Sequence, residues 1–190
     1  MSLTTKAVAP VQEAAGSGIL AQTLWIVAFA VATAAGARLE IPHEPVPYTL
    51  QTFVVLLSGA FLGSRNGAVS QLLYLTAGVL GAPVFAGGAF GFARLLGPSG
   101  GYLLAFPAAA ALVGYLIRDR RSILVTALAM AAGLAVIFIS GTAQLYAYYI
   151  HDSSIALAAG FLFFSWWDLL KLSAATAIYH ELAKRWPRLP

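Results

Sequence analysis

The chain has 190 residues, of which 60% are hydrophobic and only 9% are charged, and its mean hydropathy is +0.82. Because a soluble domain carries about 25% charged residues, this composition predicts an integral membrane protein. The absence of cysteine excludes disulfides and thiolate metal sites. The net charge of +4 does not indicate nucleic-acid binding, because the basic residues lie at the ends of apolar runs rather than along one face.

Residues 1–18 are small and polar, and we interpret them as a flexible cytoplasmic lead without a cleavable signal. Six apolar runs follow, at 19–39, 48–62, 68–81, 101–117, 122–149 and 155–183. A membrane-spanning helix needs about 20 residues, so the second and third runs predict shorter or broken helices. We therefore predict one all-α membrane domain over 19–190, with six transmembrane helices in a compact bundle and a glycine-rich outer loop between helices 3 and 4.

The distribution of basic residues predicts the orientation of this bundle. Six spans place both termini on one side, and that side carries eight Lys and Arg residues: Lys6, Arg65, Arg118, Arg120, Arg121, Lys184, Arg185 and Arg188. The opposite side carries only two, Arg38 and Arg94. Since basic residues favour the cytoplasmic side, both termini are expected in the cytoplasm.

Two connections on the outer side are unusual. The connection over 40–51 holds three prolines, which predicts an extended segment. The segment over 83–102 holds six glycines and two prolines among apolar residues, with Arg94 as its single charge. Apolar backbone that is not helical is tolerated at membrane depth where it packs on protein or lines a cavity. We interpret this segment as the lid and part of the wall of a small-molecule site.

The last apolar run contains two ionisable residues, Asp168 and Lys171, whose spacing places them on one face of a helix beside Trp167. Charges inside a span are costly and usually mark a substrate or ion pathway. A structural ion pair is the alternative, and for Arg94 the alternative is an anchor that reaches the head groups. Neutral hydrogen bonds to a ligand could come from Tyr48, Gln51, Gln71, Tyr74 and Gln144.

The first run carries small residues at four-residue spacing, Ala28, Ala32 and Gly36, which would let a partner helix approach closely. An ordinary alanine-rich membrane helix is the alternative. The three histidines are scattered along the chain, so no metal site is predicted. The sequence has no phosphate-binding loop and no nucleophile–base arrangement, so it has no predicted catalytic residue and is not expected to be an enzyme.

Three blocks of the sequence resemble the BioY family: Pro-Val-Pro-Tyr-Thr-Leu-Gln at 45–51, the segment 74–88, and Gly-Pro-Ser-Gly-Gly-Tyr at 97–102. That family is the biotin-specific substrate-capture component of energy-coupling-factor transporters. The resemblance implies a six-helix bundle that binds biotin near its outer face, with family binding residues at Arg94, Asp168 and Lys171. The other candidate binding residues are Gln51, Tyr74, Phe85, Gly88 and Trp167. An Asn that some relatives carry in the loop is absent, and its substitute stays open.

The resemblance also implies partners. Biotin would be the transported ligand rather than a cofactor, and ATP would act only through a membrane-embedded coupling subunit and two ATPase subunits. The strip of Ala28, Ala32 and Gly36 resembles the surface that meets the coupling subunit. The alternative is a stand-alone carrier, ion-coupled through Asp168 and Lys171 or self-associating. In either case the expected location is the bacterial cytoplasmic membrane.

Overall fold

The computed structural model describes residues 18–118, 122–158 and 166–183, most of which are helical. The helices are α1 (Ile19–Arg38), α2 (Gln51–Val79), α3 (Ala93–Leu96), α4 (Gly100–Ile117), α5 (Ile123–Tyr148), α6 (Ser153–Leu157) and α7 (Trp166–Leu182). Among the described residues, α1, α2, α4 and α5 are long and apolar enough to cross a membrane. The chain is therefore a multi-pass membrane protein. The predicted lead over 1–17 and the middle of the last run, 159–165, lie outside the described residues.

The helix α2 is folded into two arms at Gly63, whose φ of 77° and ψ of −178° are not helical. The Gln51 side-chain nitrogen donates to the Tyr74 hydroxyl over 2.6 Å, and the Gln71 side-chain nitrogen donates to the Ser58 hydroxyl over 3.1 Å. In a straight helix the first pair would be roughly 35 Å apart. The arms 51–62 and 64–79 therefore lie side by side, and they correspond to the second and third apolar runs.

Close contact between α2 and α4 forms the centre of the bundle. A methyl group on Gly59 would lie 2.3 Å from the Ala110 carbonyl oxygen, and one on Gly114 would lie 2.3 Å from the Ser64 backbone nitrogen. Only glycine permits helix backbones to approach this closely, and such packing is a main source of helix association in membranes. The contact also places Arg65 and the end of α4 at the same end of the bundle.

The helix α7 packs against both α2 and α5. The Tyr179 ring lies edge-on to the Phe61 ring, with their centroids 5.1 Å apart. The Thr176 hydroxyl lies 3.5 Å from the sulfur of Met130 on α5. These contacts run toward the end of the bundle that holds Arg65, so the first turns of α7 lie at the opposite end.

The connection after α1 contains a short antiparallel ribbon, β1 (Glu40–Ile41) and β2 (Tyr48–Thr49), in which Glu40 pairs with Thr49. The all-α prediction missed this ribbon, although it predicted an extended segment here. Three prolines prevent a helix, and the Leu50 backbone nitrogen donates to the carbonyl oxygens of Gly36 and Leu39, which closes the ends of the connection. Between Val79 and Gly100, the regular structure is a short 3₁₀ turn, Ala86–Gly88, and α3.

Candidate functional site

A cavity opens at the end of the bundle where α1 ends and where α2, α4 and α7 begin. Its empty volume, counted together with the open mouth, is about 730 Å³. Its wall combines residues from the ribbon, the irregular segment and four helices. The lining residues are His43, Val46, Pro47, Tyr48, Thr49, Gln51, Thr52, Ala86, Arg94, Ser99, Tyr102, Leu103, Phe106, Phe138, Asp168 and Lys171.

The two ionisable residues of the last run lie on this wall and form the ion pair that was the alternative interpretation. The Lys171 ammonium is 2.6 Å from a carboxylate oxygen of Asp168, and the two residues are only 6% and 1% exposed. The ammonium also donates to the Thr49 carbonyl oxygen over 3.1 Å and to the Thr52 hydroxyl over 2.8 Å. An ammonium group has three donors, so these three protein acceptors account for all of them. Lys171 therefore fixes Asp168 and ties α7 to the ribbon and to α2.

Arg94 and Ser99 bring unused donors to the same cavity. The Arg94 Nε atom and the Ser99 hydroxyl oxygen are buried and have no hydrogen-bond partner among the described residues. A buried polar group without a partner costs about 1–3 kcal/mol. The loss is recovered when a ligand supplies the missing acceptor. The burial of Nε also argues against a role for Arg94 as a freely exposed anchor.

The backbone around Arg94 is held by α5. The Gln144 side-chain nitrogen donates to the carbonyl oxygens of Leu95 and Gly97 over 3.1 and 2.8 Å. The Tyr149 hydroxyl, just after α5, donates to the carbonyl oxygen of Leu96. Gln144, which the sequence suggested as a ligand contact, therefore positions the loop. These hydrogen bonds tie the backbone that carries Arg94 to the end of α5.

Gln51 lies on the wall, whereas Tyr74 lies behind it. The Gln51 side-chain oxygen accepts from the Thr49 hydroxyl over 3.0 Å, and its nitrogen donates to the Tyr74 hydroxyl. The Tyr74 hydroxyl in turn donates to the Val84 carbonyl oxygen over 3.3 Å. This chain of hydrogen bonds connects the ribbon, both arms of α2 and the irregular segment. Tyr74 is thus a support for the wall, not a lining residue as predicted.

Three other predicted ligand contacts are not on the wall. The Phe85 ring is fully buried against Gly78 and edge-on to Tyr74, with ring centroids 5.6 Å apart. Phe85 therefore anchors the irregular segment to α2 from the side facing the bundle. Gly88 lies under the Arg38 guanidinium, and Trp167 is half-buried. Neither residue lines the cavity. Gln71, a weaker candidate, bonds to polar side chains inside the bundle.

The ribbon is the part of the site that the sequence prediction mostly missed. It contributes His43, Val46, Pro47 and Thr49 in addition to Tyr48, which had been a candidate. The His43 and Tyr48 rings pack together with centroids 4.8 Å apart. Burial, and secondly the negative charge of Asp168, raise the pKa of Tyr48, so its phenol stays neutral and can donate. In the sequence, the features that could have indicated this part of the site were the three prolines and the tyrosine of the connection.

The small-residue strip of α1 divides between two environments. Ala28 is exposed and Ala32 is half-buried, so both remain available to a partner helix. Gly36 is buried instead, and a methyl group there would lie 3.2 Å from the Gln51 backbone nitrogen. The prediction of Gly36 as a partner contact is therefore corrected, because this glycine permits α1 to pack on the start of α2.

Comparison with known proteins agrees with this architecture. The family model of BioY matches residues 6–188. A biotin transporter BioY from Thermotoga maritima is 40% identical over 149 residues, which cover 78% of this chain and 88% of that protein. A probable biotin transporter BioY from Pyrococcus horikoshii is 38% identical over 157 residues, covering 83% and 93%.

A solved structure has the same fold. It is a crystal structure at 2.1 Å of the S-component for biotin from an ECF-type ABC transporter. The TM-score is 0.81 with 24% sequence identity, and the match covers 87% of this chain and 92% of the other. The likeness thus extends over almost the whole of both chains.

We predict that Lys171→Met lowers the free energy of unfolding by about 3–5 kcal/mol, because it leaves the Asp168 carboxylate buried without its cation. Chemical unfolding in detergent measures this change. The double variant Asp168→Asn/Lys171→Met should recover a large part of the loss, and Leu170→Met, at an exposed neighbouring position, should have little effect. An unaltered stability of Lys171→Met would contradict the assignment of the ion pair as a structural tie.

Proposed function

The chain belongs to the BioY family, and on that premise we propose that it captures biotin in the cavity described above. Its function is biotin uptake across the membrane, as the substrate-binding component of an energy-coupling-factor transporter, and not catalysis. The assignment of the site rests on two buried donors, Arg94 Nε and the Ser99 hydroxyl, that have no partner within the described part of the chain. They lie on a wall that also carries a buried carboxylate.

The chemistry of biotin matches this wall. Biotin has two ureido N–H donors, a ureido carbonyl, an apolar sulfur ring and an ionised valerate. Asp168 offers an acceptor for a ureido N–H, and Leu103, Phe106 and Phe138 offer apolar surface for the ring. A site with a few fixed polar groups on an apolar wall is suited to a ligand of this kind.

The hydrogen bonds of Lys171 support one orientation of the ligand. Its three donors are accounted for by protein acceptors, so Asp168 rather than Lys171 is the proposed partner of the ureido group. The guanidinium of Arg94 is then the proposed partner of the valerate carboxylate, which it can bind with two parallel hydrogen bonds. Ser99 is the proposed substitute for the absent Asn, because its hydroxyl is buried and accepts or donates no hydrogen bond among the residues that the structure describes.

Capture of a scarce vitamin requires an enclosing site. A nanomolar dissociation constant corresponds to about −12 kcal/mol, which a small ligand reaches only when most of its surface is covered. Here the ribbon and the segment 83–99 both contribute to the wall. We propose that these two segments close over biotin and exclude water, so that tight binding needs no ATP.

The position of the cavity supports an outward-facing site in a six-span bundle. The proposed spans are α1, the two arms of α2, α4, α5 and α7. Arg65 and Arg118 lie at the end opposite to the cavity, as the contact of Gly114 with Ser64 requires. By the preference of basic residues for the cytoplasm, the cavity faces outward and both termini lie in the cytoplasm of a bacterial cell.

The proposed partners are a membrane-embedded coupling subunit and two ATPase subunits, which would supply the energy for release. The proposed contact is the exposed face of α1 around Ala28 and Ala32. In the most apolar 18-residue stretch of α1, only 17% of the residues are buried by the rest of the chain, against 56% in the corresponding stretches of α2 and α4. A helix so little covered by its own chain has most of its surface free for a partner helix.

We predict that Arg94→Ala and Asp168→Asn each weaken biotin binding at least about tenfold, because each removes a charge-assisted hydrogen bond. Isothermal titration calorimetry on the purified chain without ATP measures the affinity. The matched controls are Arg65→Ala at the opposite end and Asp152→Asn at the exposed cap of α6, neither of which should alter it. Wild-type affinity in both site variants would refute the assignment.

We predict that Ala28→Phe abolishes biotin uptake while leaving biotin binding intact, because a bulky side chain prevents close approach of a partner helix. Uptake is measured with the coupling subunits present, and binding is measured on the isolated chain. Leu128→Phe, at an exposed position of α5, is the control. Normal uptake by Ala28→Phe, or uptake by the chain alone driven by a pH gradient, would contradict the proposed coupling.

A further inference from the structure

Arg38, the last residue of α1, reaches across to the segment that forms part of the cavity wall. Its guanidinium donates to the carbonyl oxygen of Pro83. The same group covers Gly88, since a methyl group there would lie 2.9 Å from one terminal nitrogen of Arg38. The side chain is exposed to the outside of the bundle and is not part of the cavity lining. One arginine thus bonds to the start of the turn and lies against Gly88 near its end.

The turn that Arg38 holds carries one residue of the cavity wall. The Phe85 backbone nitrogen donates to the Ala89 carbonyl oxygen over 3.0 Å, and the Gly88 nitrogen donates to the Phe85 carbonyl oxygen over 3.0 Å. Ala86, between them, lines the cavity. The buried Phe85 ring secures the turn from beneath, and Arg38 is its contact from above. A displacement of the turn away from the bundle would move Ala86 off the ligand.

We propose that Arg38 is a positioning residue that clamps the turn 83–88 against the site and slows release of the ligand. This inference rests on the proposed binding of biotin in the cavity. The planar guanidinium suits the task because it presents several donors in a fixed fork, and its positive charge lies favourably at the carboxyl end of α1. Because the contact is on the outside, it acts on the exit of the ligand and not on the ligand's own hydrogen bonds.

Two adjacent glycines provide a matched test of the clamp. Gly87 and Gly88 have nearly equal positive φ angles, 69° and 73°, so alanine strains the backbone similarly at both. A methyl group on Gly87 would meet nothing nearer than a Glu40 carboxylate oxygen at 3.8 Å, whereas one on Gly88 would displace the Arg38 guanidinium. The two substitutions therefore differ mainly in whether they break the clamp.

The experiment measures biotin dissociation from the purified chain by exchange of labelled for unlabelled biotin. We expect Arg38→Met to raise the dissociation rate constant about fivefold, the effect of losing one charge-assisted hydrogen bond at a partly solvated site. The association rate constant should stay unchanged, and the melting temperature of the ligand-free chain should fall by no more than about 2–4 °C. Gly88→Ala should raise the dissociation rate to a similar extent and Gly87→Ala clearly less. In the Arg38→Met background, Gly88→Ala should behave like Gly87→Ala.

Each other outcome overturns the inference. An unchanged dissociation rate in Arg38→Met, with wild-type binding intact, would show that the contact is incidental. Equal effects of Gly87→Ala and Gly88→Ala would assign the change to backbone strain, and partial unfolding of Arg38→Met at the assay temperature would assign it to folding. Arg65→Met, on the opposite side, controls for loss of a positive charge. Failure of the unmodified chain to bind biotin would instead overturn the proposed function, and the clamp with it.

Discussion

The ammonium group of Lys171 joins three parts of the chain at one point, and the shape of the site depends on that junction. Its contacts with Asp168, Thr49 and Thr52 bring α7 against the ribbon and the start of α2, which lie more than a hundred residues earlier in the sequence. A buried carboxylate is tolerated in a membrane only when a cation and hydrogen bonds compensate it. Lys171 supplies this compensation from within the chain.

Close glycine packing and irregular backbone have separate tasks in this molecule. Gly59 and Gly114 bring α2 and α4 into backbone contact, which forms a rigid centre away from the site. At the other end, the ribbon and the segment 83–99 have little regular structure of their own. Their carbonyls are instead held by side chains from neighbouring elements, such as Gln144 and Tyr74. The bonds that hold this part of the wall therefore lie outside the helix ladders of the bundle.

Part of this arrangement could be predicted from sequence because its causes are local. The cost of a charge in an apolar run singled out Asp168 and Lys171, and the glycines and prolines around Arg94 excluded a spanning helix. The structure places Arg94, Asp168, Lys171 and Gln51 around one cavity. Other features depend on contacts between distant residues. Nothing local shows that Phe85 fills the space at Gly78, that Gly36 packs on the start of α2, or that residues 43–49 fold over the cavity. These positions read as ordinary apolar, small or loop residues until their neighbours are known.

The central claim is that Arg94 binds the carboxylate of biotin while Asp168 binds its ureido ring. The most direct measurement compares the affinities of biotin and biotin methyl ester for the wild-type chain and for Arg94→Ala. Esterification removes the negative charge, so it should weaken binding to the wild-type chain at least about tenfold and weaken binding to Arg94→Ala much less. An equal loss in both chains would show that Arg94 does not meet the carboxylate and would contradict the account.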